Sequence, residues 1–60
     1  MTPAELKQRR IGMGLSQQAL ADLLGVRRET ISDWERGVVP MPHMLRLALW
    51  AIDNGGVDYA

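Results

Sequence analysis

LSQQALADLLGVRRETISDWERG, residues 15–37, decides the fold. It reads as two short helices folded around a tight turn at Gly25. Ser16 opens the first, because its hydroxyl can accept from the free N–H groups of a helix start. Leu20, Ala21, Leu23 and Leu24 give this helix its apolar side, and Gly25 ends it as the residue that most easily takes the left-handed conformation. After Val26 a second helix runs from about Arg28 to Arg36. Its apolar members Ile31 and Trp34 lie three apart and share a face. The opposite face offers Arg28, Glu29, Ser32, Asp33 and Arg36 to solvent or to a partner.

This pattern resembles the DNA-binding helix-turn-helix of the phage Cro/repressor family. Gln17 stands for the glutamine that opens the unit and Ala21 for the small residue where the two helices approach. Gly25 matches the turn glycine, Val26 the apolar residue after it, and Ile31 and Trp34 the buried positions of the second helix. Glu35 to Gly37 matches the closing Glu-x-Gly. The resemblance extends from Met1 to about Ile52. It implies an all-α, compact four-helix or five-helix lambda-repressor-like DNA-binding domain over residues 1–54, followed by a short C-terminal tail, 55–60. The small size and the Pro40-x-Pro42 loop also look like small phage autoregulators, including anti-CRISPR-associated ones.

Composition bounds the alternatives. Sixty residues make one domain at most, and a chain this short buries only about 60% of the surface its unfolded form exposes. No cysteine is present to form a disulfide or a thiolate metal site. A compact helical bundle, or a bundle completed by dimerisation, is the cheaper solution. A hydrophobic content of 47% is too high for a disordered chain. Residues 1–10 lack the apolar segment of a signal peptide, and the apolar run Leu47–Ile52 is far too short to span a bilayer. A soluble, cytoplasmic protein is expected, without a membrane partner.

The net charge is zero, which by itself counts against nucleic-acid binding. The distribution is more informative. Lys7, Arg9, Arg10, Arg27, Arg28 and Arg36 precede Gly37, whereas Asp53 and Asp58 lie at the other end. A coat of ordinary surface charge explains the same segregation.

Outside the central unit, Thr2-Pro3-Ala4-Glu5 is a helix start: Thr2 caps, Pro3 suits the first position, and Glu5 completes a capping box. That helix is expected to reach Met13, with Leu6 and Met13 inward. Arg9 stands where the family more often has an aliphatic residue. Arg10 matches a family arginine that pairs with the glutamate at Glu35, a structural pairing. Pro40 and Pro42 make 38–42 a loop. A last helix is expected from about His43 to Asp53, apolar on two sides. Leu45, Ala48, Leu49 and Ile52 form one face, and Leu47, Trp50 and Ala51 the other. Both must be covered. The tail, through Val57 and Tyr59, or a second copy can cover the outer face. The dimer is the preferred reading because Gly55-Gly56 makes the tail costly to order. Its interface is expected at Leu47, Trp50, Ala51 and Asn54.

Enzymatic function is not expected. His43 is the lone histidine, and no carboxylate pair or phosphate-loop motif occurs. No cofactor, metal or small-molecule ligand is implied. The residues expected to meet DNA are Gln17, Gln18, Arg27, Arg28, Glu29, Ser32, Asp33, Arg36 and His43. Gln17 lies where the helix start favours a phosphate, its amide holding that phosphate or a base edge. Gln18 assists it or is simply exposed. Arg28 leads the recognition helix, placed for a guanine or a phosphate alike. Arg27 replaces a capping Ser or Thr and is read as a phosphate clamp or second base reader. Glu29 and Asp33 either accept from cytosine or, preferably, orient Arg28 and Arg36. Ser32 permits close approach, Arg36 meets a phosphate, and His43 lies exposed or near one.

The implied function is transcriptional regulation, most often repression, by a homodimer on a palindromic double-stranded operator. The rival reading is a protein-interaction module, such as an antitoxin-like subunit, using the outer face of helix 43–53.

Overall fold

The computed structural model describes residues 1–55, and within them the chain is helical without a strand. Four helices follow in order: α1 Pro3–Gly12, α2 Gln17–Leu24, α3 Arg28–Glu35 and α4 Leu45–Asp53. Residues 56–60, and with them the tail residues Val57 and Tyr59 considered as a cover for the last helix, lie outside the described residues.

Each helix boundary has a local cause. Thr2 accepts the Glu5 N–H at 3.1 Å and its own N–H donates to Glu5 Oε1 at 3.1 Å, closing the capping box at α1. Ser16 Oγ accepts from the Ala19 N–H at 3.0 Å and starts α2. Gly25, at φ 73°, turns the chain out of α2, and the Val26 N–H closes back onto the Ala21 carbonyl at 3.0 Å. An L-residue in that conformation costs about 1–2 kcal/mol, so glycine is what permits so short a turn between α2 and α3.

The last helix begins later than its sequence indicates. Pro42 to Met44 form a turn, with the Leu45 N–H on the Pro42 carbonyl at 3.1 Å, and α4 starts only at Leu45. His43 therefore precedes α4 instead of sitting in its first turn. The physical reason is that Pro42 biases Met41 to an extended conformation and offers no N–H of its own, and one tight turn intervenes before helical hydrogen bonds can propagate.

The core is small and drawn from all four helices. Leu6, Leu20, Ala21, Ile31, Trp34, Leu45 and Leu49 are buried, and Met13, Leu15, Leu24, Val26, Met41 and Ile52 pack around them. α3 packs against both α1 and α2. Its Ile31 and Trp34 point inward as the three-residue spacing requires. The opposite side of α3 is left free.

Candidate nucleic-acid interface

The free side of α3 carries Arg27, Arg28, Glu29 and Arg36, all exposed, with Ser32 and Asp33 half-buried between them. Arg27 occupies the position before the helix in an extended conformation and makes no side-chain cap. Guanidinium has no acceptor to offer, so the loss of a cap follows from the residue type. The Thr30 and Ile31 N–H groups reach the Arg27 carbonyl at 3.0 and 3.4 Å. Those of Arg28 and Glu29 find no acceptor among the described residues. The start of α3 thus combines open N–H groups, the positive end of a helix dipole and two arginines, an arrangement suited to an anion.

At the other end, Arg36 Nη2 donates to Asp33 Oδ1 at 2.7 Å, one turn apart. The Asp33 carboxylate, which would otherwise repel a phosphate, is tied to a guanidinium and holds it over the helix. Glu29 forms no ion pair among the described residues; the orienting role anticipated for it on Arg28 is absent in this structure. Its carboxylate faces solvent.

α2 presents a second helix start. Ser16 satisfies Ala19, and the Leu20 N–H reaches the Ser16 carbonyl at 3.0 Å. The backbone N–H groups of Gln17 and Gln18 have no acceptor among the described residues. The side chains behave differently. Gln18 Nε2 donates to Asp22 at 2.9 Å along its own helix, a pairing visible in the four-residue spacing. Gln17 is half-buried, and its Nε2 donates to Glu35 Oε1 at 3.1 Å. One of its two amide N–H donors is therefore engaged inside the protein.

Glu35 is the centre of that internal network. Arg10 Nε donates to Glu35 Oε2 at 2.6 Å and Arg10 Nη2 to Oε1 at 3.2 Å, while Arg10 Nη1 holds the Leu15 carbonyl at 2.9 Å. The two side chains are only 11% and 4% exposed. Burial alone pushes the Glu35 carboxyl up, but the hydrogen bonds from Arg10 and Gln17 outweigh it, with the Arg10 and Lys7 charges assisting. The net result is a pKa below the ordinary value of 4.5. One carboxylate at the end of α3 thus joins α1 and the start of α2, and Arg10 carries the link on to the loop after α1. The start of α2 is thereby fastened to the end of α3.

The remaining residues fall elsewhere. His43 is exposed in the turn before α4. Leu47 and Trp50 are exposed at 52% and 61%, on the side of α4 away from the core. Ala51 is half-buried, and Asn54 caps α4 by donating from Nδ2 to the Trp50 carbonyl at 2.8 Å. No group of three or more potential metal ligands gathers among the described residues. No helix there is long and apolar enough to cross a membrane.

Two helices joined by a glycine turn, the second packed through one face and charged on the other, define an all-α DNA-binding domain. A family model described as helix-turn-helix matches residues 6–51. The chain belongs to that family, in its Cro/repressor type, and is a transcription regulator that binds double-stranded DNA. No curated protein and no solved structure matches it.

Proposed function

We propose that the chain is a dimeric transcriptional repressor whose residues 1–54 form the DNA-binding unit. Two recognition helices, residues 28–36 of each copy, enter successive major grooves of an inverted repeat, about one DNA turn apart. Occupying a promoter in this way excludes polymerase sterically. No inducer or cofactor takes part, so occupancy follows protein concentration and the monomer–dimer balance. The protein works in the cytoplasm, on the nucleoid when bound.

The observation that carries this reading is the exposed start of α3, where Arg27 and Arg28 flank N–H groups left open by the missing cap. Arg28 reads a base edge or a phosphate, Arg27 clamps the backbone, and Arg36 meets a phosphate with Asp33 as its guide. Gln17 and Gln18 meet a phosphate through their main chain, Ser32 allows close approach, and Glu29 accepts from cytosine. His43 lies toward the flanking backbone. Leu47, Trp50, Ala51 and Asn54 form the dimer contact.

A second reading, an antitoxin-like interaction module, draws on the exposure of Leu47 and Trp50. Arg28→Ala and the partner that the Trp50 face takes separate them. Arg28→Ala abolishes specific DNA binding under the first reading and leaves assembly intact. Leu47→Asp disrupts assembly in both readings. A protein that binds no duplex as wild type, yet captures a different protein through the Trp50 face, establishes the second.

A further inference from the structure

The outer side of α4 is a stripe with opposite charges at its two ends. Arg46, Leu47, Trp50, Asp53 and Asn54 are exposed, while Leu45 and Leu49 are buried in the core. Arg46 and Asp53 are seven residues apart, two helical turns, and so return to nearly the same side about 10 Å apart along the axis. Between them lie the two large apolar side chains, Leu47 and Trp50. Neither Arg46 nor Asp53 forms an ion pair among the described residues. Arg9 of α1 joins Arg46, Leu47 and Trp50 around one shallow depression and Leu49 and Asp53 around another. The Trp50 depression is therefore lined by two arginines and by no acidic residue.

Resting on the dimer reading above, we infer that two copies pack α4 against α4 antiparallel, with the two-fold axis beside Trp50. Arg46 of each copy then lies opposite Asp53 of the partner subunit. A two-fold interface is self-complementary: if residue i meets j, then j meets i. The midpoint between positions 46 and 53 falls beside Trp50, so one axis places both charge pairs and both tryptophans at once. Parallel α4 helices would instead set Arg46 against Arg46 and Asp53 against Asp53. Near the axis the helices are in close contact, and the pairs lie only about 5 Å along each helix from it. At the shallow crossing angles of packed helices, an arginine is long enough to bridge that divergence. The occupant of the face is thus a second copy, because the chain itself carries the carboxylate that the basic rim lacks.

The test is sedimentation equilibrium on the full chain at low salt, with Arg46→Asp, Asp53→Arg, their equimolar mixture and the double exchange. Both positions are exposed, so circular dichroism is expected to show an unchanged fold. Each single variant self-associates about tenfold more weakly than wild type, since two attractions become two repulsions. In the mixture every pair is again Asp against Arg, and a heterodimer at least as tight as the wild-type dimer forms. The double exchange restores the homodimer. If Leu47→Asp breaks the wild-type dimer while both single variants associate normally, the register is wrong and the dimer reading stands. If the single variants weaken but the mixture does not recover, the pairing is also wrong. If wild type stays monomeric both free and on duplex, the dimer reading fails and this inference fails with it.

Discussion

Arg10 and Glu35 lie twenty-five residues apart in sequence and within 2.6 Å of each other in the fold, joined through Nε and Oε2. The pair fastens α1 to the end of the recognition helix, and Gln17 adds the start of α2 to the same carboxylate. α3 is therefore held along its middle and its C-terminal end: by Ile31 and Trp34 in the core and by Glu35 through a largely desolvated ion pair.

Removing one member of that pair leaves the other buried and uncompensated. Arg10→Met or Glu35→Leu alone should destabilise the domain by about 3–5 kcal/mol, a large share of the total for so small a fold. Both changes together should recover most of the loss. Urea unfolding followed by circular dichroism measures this; additive losses would mean that the two side chains act independently.

The same carboxylate gives stability a defined acid limb. Its folded pKa is lower than its unfolded one, so its contribution is fully present above the unfolded value near 4.5 and is lost as pH falls through the folded value. The transition midpoint of wild type should therefore fall as pH decreases below that point. Glu35→Gln should start lower at neutral pH and show a shallower decline. Equal slopes for the two proteins would remove Glu35 from the account.

Gly25 should tolerate substitution poorly even though open space surrounds the position where a Cβ would be built. The penalty is conformational, from φ 73°. Gly25→Ala is expected to cost about 1–2 kcal/mol, and Gly25→Asn less, because asparagine tolerates the left-handed region better. Thermal unfolding of the two variants gives the order directly.

Arg27 trades a cap for a charge. Arg27→Ser should restore the cap and stabilise the fold by about 0.5–2 kcal/mol. It should also weaken DNA binding at all sequences alike and reduce the magnitude of the salt slope by about one. A variant that gains stability and keeps wild-type affinity would show that Arg27 does not touch the backbone.

Much of the fold is legible in the sequence because its signals are local. Thr2 with Glu5, Ser16, Gly25 and the spacing of Ile31 and Trp34 each act within a turn or two of chain. The missing cap at Arg27 and the Asp33–Arg36 pair follow in the same way. The Arg10–Glu35 pair crosses twenty-five residues and is legible only through the family resemblance. The bond from Gln17 to Glu35 is not, because it depends on how α2 and α3 cross. The start of α4 at Leu45 is also obscured, since His43 and Met44 are compatible with either helix or turn. The exposed α4 face is readable as an apolar stripe opposite Leu45 and Leu49, but that Arg46 and Asp53 stay exposed beside it without an ion pair among the described residues emerges only from the fold.

The most direct test of the central claim is selection from a randomised duplex pool, at low and then at physiological salt, using wild type and Arg28→Ala in parallel. Wild type should enrich an inverted repeat with half-sites about one turn apart. Arg28→Ala should lose enrichment, or discrimination at one symmetric pair of positions, worth about 1–3 kcal/mol. A folded, dimeric wild-type protein that enriches no sequence at either salt concentration would contradict that claim.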